Sequence, residues 1–492
     1  MFFLAFWALL AVLAGHIVSF AINASARQRL AESLGLQRRR YAAATTPPRD
    51  LLSKQVVESD VSTIYAHAFP PHRRHALAEL SSTAYTQLSR SPHELSQLPA
   101  KYESLLPDTT SPEATLHAIH TTATGFTLGE IEQLGRFPDY ATFSGVPLPK
   151  AYHEFNIATA LARPYRPFRW SYHQTMSITK MEPDWWLELN SEYADTVKWR
   201  VQTFEKHGAT VLQTLPGSEV ATQELMEMCL QFLCARYPHY FHLDQETMTF
   251  HNHILSSQTD LTSTPPMQVL LHHVPEDFAI MLRDPVTGLY TFRSGMIMSS
   301  LGWSLGTKIG LQLSEIHKPV PDYKEKMEFS MDRYFSKQPT DKPIQRGSWG
   351  LEVDRPLFMP PGDPHSLFRG AQNAEHSIDR MHLRVDWQTL RRLPLSGAIV
   401  FNFKGLFTPV TEFRDERYIP SLVLKMLKEA KENIMEYKDT WHTEHVVIPY
   451  LEQCEKEQVE NGVMEVDWKP ETLEESPFFP GWEEKWHRQQ EF

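Results

Sequence analysis

The chain has 492 residues, 41% of them hydrophobic, with 60 acidic against 48 basic residues and a net charge of -12. That length and apolar content support a large core, built as one main domain with helical additions, and the acidic balance offers no basic field for nucleic acid. Three cysteines, Cys229, Cys234 and Cys454, exclude a disulfide framework and are too few for a four-cysteine iron–sulfur cluster.

The chain opens on an apolar run, Phe2 to Ile22, interrupted only by His16, Ser19 and a glycine. At about 1.5 Å per residue a helix of that length spans a hydrocarbon core of about 30 Å. The positive residues Arg27, Arg29 and Arg38 to Arg40 follow the run instead of preceding it, so residues 1–22 are expected to be a single-pass anchor with the body in the cytosol. The endoplasmic reticulum is the natural membrane, and the scarcity of cysteine fits a reducing compartment. A cleaved signal ending near Ala24-Ser25-Ala26 is the alternative. Residues 23–144 read as linker and short helices, with Thr45 to Arg49 as linker and helical patterns at Ala76 to Leu88 and Ser111 to Thr122. Gly145 to Lys150 is the extended entry to the main domain, residues 145–410.

In that domain Ser191 is placed to cap a helix to about Lys206. Ser218 is placed to cap a second, in which Val220, Leu225, Cys229, Phe232 and Leu233 recur near helical spacing. Strand signals follow at Gln268 to His272 and Phe278 to Leu282, then a turn at Asp284 to Gly288, then Leu289 to Arg293 and Gly295 to Met298. Leu357 to Met359, Met381 to Val385 and Ala398 to Phe403 are further extended candidates. The sum is an α+β domain, an antiparallel sheet with helices on one face. Residues 411–492 form a helical extension that wraps the core, since Ile419 to Tyr437 alternates Leu, Val, Met and Ile with Lys and Glu at helical spacing.

The chemistry concentrates in two stretches. Gly302, Gly306 and Gly310 recur every four residues; on a helix they would clear one face for a flat macrocycle or for another backbone. His317 follows, and Pro319 and Pro321 limit the backbone just beyond it, so its imidazole is held ready for a metal. Lys308, Arg346 and Arg384 are candidates to pair with the carboxylates of an anionic cofactor, or are ordinary surface charges. Asp386 and Gln388 would orient those donors or line a pocket, as would Arg293. His272, His273, His365 and His382 are competing ligands. Cys454 lies among acids, so an iron-bearing macrocycle here is expected to take histidine and not thiolate. His242-Leu243-Asp244 offers a different reading, a non-haem iron triad completed by a distant histidine.

These residues sit beside Pro164-Tyr165-Arg166-Pro167-Phe168-Arg169-Trp170, Trp186-Leu187-Glu188-Leu189, Arg236-Tyr237-Pro238 and Gln345-Arg346-Gly347-Ser348-Trp349. Together, over roughly Val146 to Pro409, the chain resembles the haem-dependent oxidative N-demethylase-like (HRQ) family. The resemblance implies a PAS-like α+β fold holding haem b, with iron on His317 and Lys308, Arg346, Arg384, Gly306 and Gly310 about the cofactor. It also implies oxidative demethylation or hydroxylation of a small molecule with O2 and electrons from a separate reductase, because no dinucleotide fingerprint occurs in the chain. A non-catalytic haem sensor or carrier is the alternative. One motif departs from the family: its usual R-x-E-R-Q reads Arg384-Val385-Asp386-Trp387-Gln388 here. Asp386, Trp387 and Gln388 are the expected catalytic positions, and Trp387 either remodels the substrate pocket or fills the core.

Overall fold

Ten segments pair as strands in the computed structural model, which describes residues 122–173, 175–284 and 288–490. They are β1 (Thr179–Lys180), β2 (Leu212–Thr214), β3 (Phe241–Asp244), β4 (Thr249–Asn252), β5 (Ser257–Asp260), β6 (Asp277–Arg283), β7 (Tyr290–Met296), β8 (Ile344–Val353), β9 (Met381–Arg392) and β10 (Ile399–Pro409). The seven-stranded sheet runs β1-β8-β9-β10-β6-β7-β2, its neighbours antiparallel, and β3-β4-β5 form a small separate sheet. Register fixes the faces. Val400 lies opposite both Ile280 and Arg391, while Asp386 lies opposite both Ser348 and Gly405. Along β9, Met381, Leu383, Val385 and Trp387 therefore point one way and Arg384, Asp386 and Gln388 the other.

The first face carries α3 (Tyr193–His207), α4 (Glu219–Arg236) and α5 (Pro266–His273), packed on Phe278, Ile280, Leu282 and Val400. Two short helices, α1 (Leu128–Leu134) and α2 (Tyr140–Ser144), precede them. Phe126, Phe137 and Tyr140 join the same core, and Thr124 Oγ1 donates to Leu395 O at 2.9 Å. The opposite face is covered by α6 (Leu313–Ile316), α7 (Tyr323–Lys326) and α8 (Glu328–Lys337), whose Leu313, Tyr323, Met331 and Phe335 meet Ala279, Met281, Phe292 and Ile399. The chain then adds α9 (Ile419–Glu429), α10 (Glu432–Lys438), α11 (Trp441–Glu460) and α12 (Trp482–Gln489). Helices α9 and α11 pack on Leu351, Leu383 and Val385 at the far end of the first face.

The α+β class and the antiparallel sheet are as expected, with several differences. Helices cover both faces, which is why β6 is buried at every position and shows no alternation. Gln268 to His272 is helical, inside α5, where Pro266 opens the helix and Met267, Leu270 and Leu271 bury. The two expected strands Leu289 to Arg293 and Gly295 to Met298 merge into one, β7 over Tyr290–Met296, kinked against β6 by an irregularity at Ile280/Met281. Leu357 to Met359 makes only an isolated bridge, Leu301 to Met359. Neither Ser191 nor Ser218 caps through its side chain: α3 begins after Glu192, and Ser218 Oγ donates to Leu215 O at 2.6 Å. Phe126, Phe137 and Tyr140, ahead of residue 145, bury in the same core as α3–α5. The anchor over 1–22, the linker at Thr45 to Arg49 and the helices before Thr122 lie outside the described residues. Among the described residues no helix is long and apolar enough to cross a membrane.

Candidate functional site

Between the second face of the sheet and α6–α8 lies a cavity of about 810 Å³, inside the roughly 300–1,000 Å³ typical of small-molecule and cofactor sites. Ala279, Met281, Phe401 and Phe403 supply its apolar floor, and Leu313, Met327, Met331 and Phe335 its roof. Polar groups enter from three directions. Strands β8 and β9 contribute Arg346, Arg384, Asp386 and Gln388; the segment before β1 contributes Arg169 and Tyr172; α10 contributes Tyr437 and Lys438.

His317 is held by its own local turn. Gln312 N donates to Glu315 Oε2 at 2.8 Å to start α6, and His317 N donates to Leu313 O at 3.0 Å to end it. Gly310 N donates to Phe292 O at 2.8 Å and Phe292 N to Leu311 O at 3.0 Å, which ties this segment to β7. The ring stacks on Tyr323, centroids 5.0 Å apart and planes 9° from parallel. His317 Nδ1 lies 2.8 Å from Leu313 O. A carbonyl only accepts, so the proton sits on Nδ1 and the Nε2 lone pair is left for the cavity. Burial holds the imidazole below its ordinary pKa, assisted by Arg346 and Lys308, and so keeps it neutral. A neutral histidine with its far nitrogen anchored to a backbone carbonyl is the arrangement of an oriented metal ligand.

Charge in the cavity is unbalanced. Arg384 is saturated: Asp386 Oδ1 receives its Nη2 at 2.8 Å and Nε at 3.1 Å, Nη1 reaches Pro356 O at 2.8 Å and Leu357 O at 3.1 Å, and Nη2 also donates to Ser299 O. Glu352 is paired with Arg369. Among the described residues, the other cavity cations, Arg169, Lys308, Arg346 and Lys438, have no carboxylate partner. Arg169 Nη1 donates to Thr175 Oγ1 at 3.1 Å, Lys308 Nζ to Ile316 O at 3.1 Å, and Lys438 Nζ to Trp349 O at 2.6 Å and Ser348 Oγ at 3.1 Å. Arg346 Nε is buried without an acceptor. Burial and the charge of Arg169 bring Arg346 down to about 10. Burial brings Lys438 down to about 7, with Arg346 and Arg169 adding to the effect and Asp386 opposing it. These cations repel one another in a low-dielectric space, so the cavity favours an anion.

Not every expected site residue is available to a ligand. Trp387 points through the sheet to the first face and stacks on Tyr165 at 4.0 Å, 16° from parallel, so it fills core and does not line this cavity. Arg384 has no donor left for a cofactor. Gly302 and Gly310 have φ of 75° and 83°, incompatible with one continuous helix, and the segment is a loop around a short 3-10 turn. Gly306 faces Thr210, where a Cβ would lie 3.3 Å from Thr210 Cα, and neither Gly306 nor Gly310 borders the cavity. Arg293 Nη2 donates to Pro216 O at 2.7 Å, away from the site. His273 is bonded to Asn252 and Thr259, His365 to Val353 O and His382 to Arg380 O. His272 lies on α5, on the first face. Asp244 accepts backbone N–H groups from Glu246 and Thr247, and among the described residues no group of three or more His, Cys, Asp or Glu is gathered to hold a metal. The non-haem triad therefore has no site there.

His317, Lys308, Arg346, Arg384, Asp386 and Gln388 are brought to one cavity from positions up to 80 residues apart. Arg169, Tyr172, Tyr437 and Lys438 were not anticipated. Lys438 ends a helix of mixed polarity and reads as surface; nothing in its neighbours marks it as buried. Residues 177–448, more than half of the chain, match the family of the haem-dependent oxidative N-demethylase, alpha subunit-like proteins. The match takes in His317, Lys308, Arg346, Asp386 and Lys438 and stops short of Arg169 and Tyr172.

Proposed function

The chain belongs to the haem-dependent oxidative N-demethylase, alpha subunit-like family, and from that membership and the cavity we propose that it binds haem b through His317 Nε2 and oxidises a small organic molecule. The observation that carries the reading is the His317 geometry: one nitrogen bound to Leu313 O, the other free at the wall of a cofactor-sized cavity. The residues fit the group in two further ways. The walls are apolar where a macrocycle needs them, and unpaired cations, Lys308 and Arg346 foremost, suit its two propionates.

When bound, the haem supplies the dioxygen chemistry. For an N-methyl compound, the methyl C–H is oxidised to a carbinol, one oxygen atom leaving as water on uptake of two electrons and two protons; the C–N bond of the carbinol then breaks, releasing formaldehyde and the demethylated amine. Leu313 O and Tyr323 hold the imidazole in place, and the apolar roof excludes bulk water. Asp386, fixed by Arg384, and Gln388 face the cavity as hydrogen-bonding groups toward a substrate. Electrons come from a separate reductase, and the apolar run Phe2 to Ile22 supports anchoring of the body at a cytosolic membrane face. The test is turnover: haem-loaded protein, given O2 and a chemical or enzymatic reductant, is expected to form formaldehyde from N-methyl compounds in proportion to O2 consumed. Stable haem binding without any product, over a panel of such compounds and reductants, would overturn the enzymatic reading and leave a haem carrier.

A further inference from the structure

Resting on that reading, we propose that Arg169 and Lys438 form a carboxylate subsite beside the cofactor, so that the substrate is a small anion-bearing molecule such as an N-methyl amino acid and not a bare cationic amine. Among the described residues the cavity presents four cations with no carboxylate partner, Arg169, Lys308, Arg346 and Lys438, in a protein whose net charge is -12. Its two acids are already committed, Asp386 to Arg384 and Glu352 to Arg369. Haem b brings two propionates. With those set against Lys308 and Arg346, two cations stay uncompensated, and a third carboxylate is what they lack.

Placement supports the same division. Arg169 comes from the segment before β1 and Lys438 from the end of α10, so the pair closes the cavity from two elements outside the strands and the His317 turn. Both groups are pre-set by hydrogen bonds that leave donors over: Arg169 Nη1 on Thr175 Oγ1, and Lys438 Nζ on Trp349 O and Ser348 Oγ. Lys438 Nζ also sits over the Trp349 ring, 5.1 Å from its centroid, and 6.0 Å from that of Tyr172. Aromatic rings beside Lys438 suit a carboxylate on a short apolar stem. A positively charged amine with no acid group would meet repulsion here, with Asp386 already neutralised.

The test uses the full chain loaded with haem and titrated, below the pH at which Lys438 loses its proton, with N,N-dimethylglycine and in parallel with trimethylamine. Soret perturbation and haem content are both read. The expected result is binding of N,N-dimethylglycine about tenfold or more tighter than trimethylamine. Arg169→Gln and Lys438→Met are expected to abolish that preference with haem content unchanged, and Lys438→Arg to restore it. Equal or tighter binding of trimethylamine would overturn the proposal, and so would loss of haem from either variant in step with loss of binding, which would assign the pair to a propionate. Absence of haem from the folded wild-type protein would instead defeat the functional reading above. The same titration followed by tryptophan fluorescence then decides the subsite: a response to N,N-dimethylglycine that Lys438→Met removes upholds it, and no response overturns it.

Discussion

At the scale of single residues the cavity is governed by which protons are held and where. His317 is neutral because burial removes the imidazolium's solvation and because two cations face it. Lys438 is the group poised to titrate, at about 7. Its surroundings are the guanidinium of Arg169, Arg346 on β8, Asp386 on β9, which Arg384 holds, and Tyr172 and Tyr437, both pushed upward by burial. An anion stabilises the ammonium, so below that pKa it meets a charged lysine and above it a proton must be taken up with it. Affinity for a carboxylate is therefore expected to fall by up to about tenfold per pH unit as pH rises beyond the Lys438 transition. Lys438→Arg should flatten the profile, since a guanidinium stays protonated; an unchanged slope in that variant would show that another group titrates. His317 was legible in the sequence through its proline brake and family resemblance. Lys438 and Arg169 were not, because their burial depends on contacts made far along the chain.

At the scale of elements, what sets the site is close approach. Gly347 lies on β8 where a Cβ would come within 2.7 Å of Pro167 Cβ and 3.2 Å of Trp387 Cε3. That glycine lets the segment bearing Arg169 lie against the sheet. Gly347→Ala is expected to push this segment away, weakening carboxylate binding while leaving the His317 turn and its haem in place; equal affinity in the variant would show that the contact relaxes without moving Arg169. The C-terminal helices are locked on by a buried pair. Arg166 Nε and Nη2 each lie 2.6 Å from Glu416, and Lys485 Nζ joins at 3.0 Å. Glu416→Ala strands buried Arg166, while Lys485 keeps Asp415 at 2.9 Å, and should cost about 3–5 kcal/mol, seen as an earlier midpoint in chemical unfolding; a loss near zero would mean the pair is wetted. Periodicity found α3, α4, β9 and β10 because those elements bury by their own pattern, and β6 was found as a short apolar run. It misread α5, whose eight residues are too few and too apolar for period to separate helix from strand. It missed β8 as a strand, where glycines and an arginine interrupt the alternation. It also took the Gly302 to Gly310 spacing for a helix that two positive φ values forbid.

At the scale of the whole molecule, packing runs across the described residues. Residues before α3 fill the core, and α10, far beyond the last strand, supplies Tyr437 and Lys438 to the cavity. The family match begins at residue 177, so the Arg169 wall lies outside the matched span. The central claim remains a single bond between His317 Nε2 and haem iron. The measurement that tests it most directly is haem stoichiometry with the reduced and carbon monoxide spectra of wild-type protein and His317→Ala, prepared alike. The expected result is about one haem per wild-type chain with a histidine-type spectrum, and in the variant loss of haem or a changed Soret band. Full occupancy with an unaltered spectrum in His317→Ala would contradict it.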